Sequence, residues 1–313
     1  MLFGKYDFHS VFTGDAVLPP YKGSTFRGAF GVALKRVTCA LNLTDCRGCP
    51  LTRRCVYFQA FENSSTGGVG KNGNIPHPFV IEPPETTKQR FSKGDEFNFS
   101  LLLFGSSNSY LPYFVYAFEE MGSVGLGKHI EGKRPGFLLK RVNSNGKEVY
   151  NSADRNVVTG SESSMPFVPG PADDDRAIEL SIQCETPLRL KFENSLHAEL
   201  PFHVLVRAML RRIASLNEHF GLGEPALDYK GFVNRALQVA TVKSTLQWLY
   251  WTRFSSRQQS RMQFGGLVGE VTYRGMLKEF VSLIEYCETV HLGKATTFGL
   301  GKIKMVSTNI VIS

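Results

Sequence analysis

The sequence predicts an α+β fold of two tandem ferredoxin-like domains, with a Cys-rich, metal-binding insertion in the first. Three observations predict it. The order strand, helix, strand, strand, helix, strand can be read twice along the chain, and that is the ferredoxin-like order. Each reading carries a Gly/Lys-rich loop at the same place, between its second helix and its last strand. Four cysteines crowd between Cys39 and Cys55, directly after the first helix. A chain of 313 residues, 42% apolar and 20% charged, has the length for two packed cores and a composition that argues against a wholly disordered polymer. The expected domains are 1–165 and 176–313.

In the first half, Tyr6 to Phe12 reads as a strand. Phe26, Ala29, Phe30, Ala33, Leu34 and Val37 recur at three- and four-residue steps, the stripe of a helix buried along one side. Ser24 or Thr25 is placed to cap it. Beyond the cysteines lies a Gly/Asn-rich loop, Ser64 to Asn74. Phe79 to Glu82 and Phe97 to Phe104 are expected strands, the second with the alternation of a half-buried one. A helix is expected near Leu111 to Met121, and a closing strand from Phe137 to Val142. Asn143 to Asp175 is polar, holds Pro166, Pro169 and Pro171, and ends on Asp173-Asp174-Asp175. It reads as a hairpin or loop followed by a linker.

The second half is clearer. Ile178, Leu180, Ile182 and Cys184 alternate with polar neighbours, and Leu188 to Phe192 extends the strand after Pro187. Phe202, Leu205, Val206, Met209, Leu210 and Ile213 form one helical face, with Arg207, Arg211 and Arg212 off it. Leu246 to Phe254 and Leu267 to Tyr273 are expected strands around the basic segment 255–261. A second helix follows, burying Leu277, Phe280, Leu283, Ile284 and Cys287, and Ile303 to Val306 closes the order.

The formal charge is +8 and the isoelectric point about 9.2. Such a surface suits a polyanion, because neutralising phosphates releases their counterions. No run of about 18 apolar residues is present to span a bilayer, and the residues from Met1 to Asp7 lack the apolar core of a signal peptide. The expectation is a cytoplasmic protein with no membrane partner.

The first loop contains Gly125, Gly127, Lys128 and His129, followed by Lys133 and Arg134. The second runs from His291 through Gly293, Lys294, Gly299 and Gly301 to Lys302. Glycines let a backbone approach a ligand closely, and lysines supply the charge that phosphates prefer. Neither loop has the Gly-Lys-Ser/Thr spacing of a P-loop, and each follows a helix and enters a strand, opposite to a dinucleotide fingerprint.

Residues 22–31 (Lys22-Gly23-Ser24-Thr25-Phe26-Arg27-Gly28-Ala29-Phe30-Gly31), Thr186 to Lys191, Gly265 to Gly269 and the loop His291 to Gly301 carry a resemblance. Through them the chain resembles the CRISPR-associated endoribonuclease that processes precursor CRISPR RNA, the Cas-six branch of the RAMP superfamily. The resemblance implies RRM-like domains, a CRISPR repeat RNA as substrate, and cleavage without a metal ion. It also implies antiviral defence, with other CRISPR-associated proteins or an effector complex as further partners. The alternative in the same superfamily is a non-catalytic RAMP subunit that holds guide RNA.

Such a nuclease uses the substrate's 2′-hydroxyl as nucleophile and leaves a 2′,3′-cyclic phosphate and a 5′-hydroxyl. The protein then has to align the attack, move two protons and stabilise a charged phosphorane. Relatives often place a catalytic histidine on or near the first helix, but that region here offers Tyr21, Lys22, Arg27, Lys35 and Arg36 and no histidine. Candidate catalytic residues are therefore Lys22, Arg27 and His129. His291 fits an RNA-contacting or loop-shaping role. Arg253, Arg257 and Arg261, in or beside the basic loop, join the two Gly/Lys loops as RNA-binding candidates. Trp248, Tyr250 and Trp251 are candidates for stacking on bases.

The cysteines are spaced Cys39-x6-Cys46-x2-Cys49-x5-Cys55. A Cys-x-x-Cys turn lets two thiolates grip one ion, and four sulfurs complete a tetrahedron. A structural zinc is expected, with an iron–sulfur cluster as the alternative. Cys184 and Cys287 sit alone in apolar surroundings and read as core residues.

Overall fold

A computed structural model describes residues 1–41, 45–46, 48–62, 69–70, 73–170, 176–190, 199–255 and 260–310; the side chains at 69, 70, 73, 74, 253–255, 260–262 and 310 are outside that description. The chain divides into two compact units, Met1–Met165 and Pro166–Ser313.

Along β1 (Leu2–Phe12) burial alternates, with Tyr6, Phe8, Ser10 and Phe12 inside and Lys5, Asp7, His9 and Val11 less covered, as the two-residue period of a strand requires. The short β2 (Ala16–Val17) leads to α1 (Gly23–Thr38), which buries Phe26, Phe30, Ala33 and Leu34. Its N-cap is Lys22 and no side chain caps it, so the expected Ser24 or Thr25 cap is not made. A π-helical turn, Phe58–Glu62, is followed by the small ribbon of β3 (Val69–Gly70) and β4 (Gly73–Asn74). Then come β5 (Phe79–Glu82), β6 (Arg90–Phe91), which pairs with β2, and β7 (Glu96–Phe104). α2 (Leu111–Val124) has Pro112 in its first turn, where the missing N–H is harmless. β8 (Phe137–Ser144) turns through Asn145 and Gly146, both at positive φ, into β9 (Lys147–Asn151). That pair of residues gives the twist a tight hairpin needs. β10 (Ser163–Ser164) pairs with the start of β1, so much of the expected loop belongs to the sheet.

The sheet order is β5-β7-β1-β8-β9, every neighbour antiparallel. α1 and α2 pack on each other, and the core under them is aromatic. Phe30 stacks on Phe118 at 4.5 Å, and Phe8 meets Phe99 at 4.8 Å and Phe118 at 4.7 Å.

The second unit opens on residues joined to it by Phe167, whose ring meets Tyr286 edge-on at 5.8 Å. β11 (Ile178–Leu188) runs on through Pro187. The expected extension over Lys191 and Phe192 lies outside the described residues, as do Asp173 to Asp175 and His197. α3 (Phe202–Phe220) carries the expected stripe and continues it to Asn217. α4 (Tyr229–Ala236) and β12 (Ala240–Ser244) were not expected. β13 (Gln247–Ser255) pairs with the first part of β14 (Ser260–Gly275), whose second part pairs with β11 and β12. α5 (Lys278–Val290) and β15 (Ile303–Ile310) complete the unit. Arg235 of α4 holds buried Glu279 of α5 with two bonds, 2.7 and 2.8 Å. The sheet order is β12-β14-β11-β15. In both units the first long strand lies between the strand that enters the last helix and the strand that leaves the loop after it.

Candidate nucleic-acid interface

The two Gly/Lys loops are built on one pattern. In the first, Leu126 is buried, its N–H donating to the Pro135 carbonyl at 2.9 Å. Gly127 has φ 95°, and a Cβ there would meet the Val17 oxygen at 2.5 Å and Leu18 Cδ2 at 2.8 Å. Lys128 N–H donates to the same Val17 oxygen at 3.0 Å. In the second, Leu292 is buried and its N–H donates to the Gly301 carbonyl at 2.8 Å. Gly293 has φ 86°, and a Cβ would meet the Arg189 oxygen at 2.6 Å and Leu190 Cδ2 at 2.9 Å. Lys294 N–H donates to that Arg189 oxygen at 2.9 Å. Each Leu-Gly-Lys therefore drops a leucine into its own core, slides a side-chain-free backbone under a carbonyl-leucine pair, and leaves its lysine exposed.

Beyond Lys128, Ile130 and Lys133 exchange backbone bonds of 2.8 and 3.1 Å across a turn at Glu131 and Gly132, both at positive φ. This ties down the loop while Lys128, His129, Lys133 and Arg134 all face solvent. Beyond Lys294, a 3-10 turn at Thr296–Phe298 leads through Gly299 and Gly301, at φ 79° and 77°, to Lys302. Lys302 is half-buried, with its ammonium 3.7 Å from Glu185.

One position differs. Gly125 has φ 89° and ψ 159°, and the residue in its place in the second loop, His291, has φ 57° and ψ 151°. That region is essentially reserved for glycine. His291 is fully buried, with Nδ1 3.1 Å from the Leu300 oxygen. Arg212 of α3 donates from Nε to the His291 carbonyl at 3.0 Å and from Nη2 to Val290 at 2.7 Å. Burial pushes this guanidinium down to about 10, still charged at neutral pH. It caps the C-terminal end of α5, where a cation is favoured. The imidazole is thus a loop-shaping group turned away from solvent. Arg212, read from the sequence only as off the helix stripe, is the side chain that holds this turn.

The first-helix candidates are engaged elsewhere. Lys22 is 1% exposed, and its ammonium donates to the carbonyls of Pro20 (3.2 Å) and Thr86. Burial lowers its pKa. The Arg27 guanidinium lies 4.7 Å over the Phe61 ring. Arg253 and Arg261 stand opposite Met262 and Phe254 in the β13–β14 ladder, but their side chains, and all of Arg257, lie outside the described residues. Trp248 and Trp251 are half-buried, while Tyr250 is 72% exposed. Trp251, Phe264 and Phe298 form a ring chain that joins β13 and β14 to the second loop, with centroids 5.8 Å apart at each step. Arg189 sits 5.4 Å over Phe264.

Cys39, Cys46, Cys49 and Cys55 line one recess with Thr52, Tyr57 and Phe58. Among the described residues, no three His, Cys, Asp or Glu side chains stand in an arrangement ready to hold a metal ion. Cys184 and Cys287 are buried in the second core, as expected. Among the same residues, no helix is long and apolar enough to cross a membrane.

A family model described as an N-terminal domain matches residues 1–162, and one described as CRISPR-associated endoribonuclease Cas6 matches residues 182–303. Over residues 182–303 the chain therefore carries a domain of the CRISPR-associated Cas6 family. An uncharacterized protein of Archaeoglobus fulgidus is 23% identical to this chain over 300 residues, covering 93% of each. Among solved structures, a Cas6 product complex matches with a TM-score of 0.57 at 14% identity, covering 98% of this chain and 100% of that one. Thermus thermophilus Cas6 matches at 0.53 and 11%, covering 97% and 98%. A chain of a partial Cas6-RT-Cas1–Cas2 complex matches at 0.51 and 13%, covering 97% of this chain and 46% of that one. At these identities the structures establish a shared mixed α/β fold.

Proposed function

We infer that the whole chain acts as a Cas6 protein, which binds CRISPR repeat RNA through its two Leu-Gly-Lys loops and cleaves it to guide RNAs. The observation that carries the reading is the repeated docking of those loops. Two units present a backbone-pinned lysine in the same way, and the shared strand order fits a tandem pair of ferredoxin-like domains. Lys128, Lys133, Arg134 and Lys294 contact phosphates, and Tyr250 supplies a face for an unpaired base. Lys302 neutralises Glu185 and so removes that carboxylate's repulsion of a phosphate.

In the cleavage step the 2′-oxygen attacks the adjacent phosphorus and the P–O5′ bond breaks. The products are a 2′,3′-cyclic phosphate and a 5′-hydroxyl. His129 is an exposed imidazole flanked by Lys128 and, across the small turn, Lys133, and it moves a proton in this step. The lysines stabilise the phosphorane charge. Lys22 and Arg27 shape the fold around α1 and do not enter the chemistry. The nucleophile comes from the substrate, so the expected reaction proceeds in EDTA. The second reading, a guide-holding subunit without catalysis, is favoured by one observation: the ammonium of Lys22 is turned into the protein and α1 has no histidine. The purified chain incubated with repeat RNA in EDTA separates the two. Cutting at one position with a cyclic-phosphate end is expected, and tight binding without cutting would establish the second reading instead.

A further inference from the structure

The described residues between 39 and 55 have no core of their own. The described residues of this stretch form neither helix nor strand, none is buried, and Leu41 and Leu51 are exposed. Those turned part-way inward are Cys39, Cys46, Cys49, Thr52 and Cys55, and all five line the recess closed by Tyr57 and Phe58. Ordering such a segment costs conformational entropy at every residue. Among its described residues no apolar side chain is buried to offset that cost, and another bond would.

The backbone is arranged for one. Cys39 sits at the C-cap of α1, its N–H on the Lys35 oxygen at 2.9 Å. Cys49 N–H donates to Cys46 O at 3.2 Å, closing the tight turn that lets a Cys-x-x-Cys pair reach a common ion. The Cys55 carbonyl accepts from Gln59 at 3.0 Å, which opens the helical turn toward Phe58. Lys35 lies 5.5 Å over the Tyr57 ring at the rim, where its charge offsets that of a four-thiolate cluster.

We propose that Cys39, Cys46, Cys49 and Cys55 bind one zinc ion in a closed, tetrahedral, structural site. The ion ties the end of α1 to the segment that starts at Cys55. Soft thiolates select zinc over harder cations, and four protein ligands leave no position for water or substrate. The side chains as placed do not form a coordination shell; the ion draws them together, and their half-buried loop positions give them the room to move. Each thiol releases its proton as it binds. The site is independent of the RNA reading.

The test uses the full chain, purified anaerobically without added metal, and elemental analysis. About one zinc per chain is expected, as for a single four-ligand site. Cys46→Ser and Cys49→Ser should each lose it and lower the melting temperature, while Cys184→Ala keeps it. Exchange of the wild-type ion for cobalt(II) should give the strong visible absorption of a tetrahedral thiolate site, a readout that needs no variant to fold. Protein free of metal, with thiols labelled equally fast in the presence and absence of zinc, would overturn the proposal. So would iron with acid-labile sulfide in place of zinc.

Discussion

His291 holds a backbone conformation that its counterpart Gly125 adopts freely, so the fold has to keep it there. The restraint is visible in Arg212 on its carbonyl and in the Leu300 oxygen beside Nδ1. Glycine at 291 would shed strain of about 1–3 kcal/mol while losing the imidazole; alanine would lose the imidazole and keep the strain. His291→Ala should therefore be the less stable of the two by roughly that strain, as read from urea unfolding midpoints. Equal midpoints would contradict the strained geometry. Arg212→Met leaves two carbonyls without a charged donor and should lower stability by about 1.5–3 kcal/mol. It should also weaken RNA binding although no phosphate contact is removed. Lys22 gives a pH signature. Its folded pKa lies below the ordinary 10.5 through burial, so between the two values the unfolded chain holds more protons and stability rises with pH. Lys22→Met should flatten that rise in denaturation curves taken toward pH 10.5, relative to the wild type.

At the scale of elements, packing carries the fold. Phe30 reaches the rings of Phe61, Phe79, Phe114 and Phe118, and it joins α1, β5 and α2. Phe30→Ala should cost about 3–5 kcal/mol, measurable by chemical denaturation. The elements with long apolar stripes, α1, α3 and α5, were legible in the sequence, as was β5. α4 and β12 were not. The stretch from Tyr229 to Ser244 buries only Phe232 and Ala236 in its helix and leaves its strand exposed, so no period was there to read. The caps failed for another reason: Ser24 and Thr25 fell inside a helix that began at Gly23, on a Lys22 held by the carbonyls of Pro20 and Thr86. For the two loops, the order of residues was readable. Their docking was not, because Val17-Leu18 and Arg189-Leu190 have only the leucine in common and are recognised through backbone oxygens. The restraint on His291 was hidden likewise, since Arg212 reaches it across 79 positions of chain.

At the scale of the whole molecule, the excess of positive charge predicts RNA binding that weakens steeply with salt. Each phosphate contact on a single strand contributes about 0.7 to the slope of log affinity against log salt. Lys128→Ala and Lys294→Ala should each reduce that slope by about this amount, and the double variant by about twice as much. A uniformly charged surface without dedicated loops would show almost no change from either one.

If the two loops hold a repeat RNA that the chain cuts, binding and cutting separate at single residues. The most direct measurement mixes repeat RNA in EDTA with the wild type, Lys128→Ala, Lys294→Ala and His129→Ala, and scores binding and cutting separately. One cut with a cyclic-phosphate end is expected for the wild type, and weaker binding for each lysine variant. For His129→Ala, binding should stay intact with cutting slowed about 100-fold or more, the usual contribution of a positioned proton-transfer group. Unchanged binding in both lysine variants, or full cutting without His129, would overturn the proposed function.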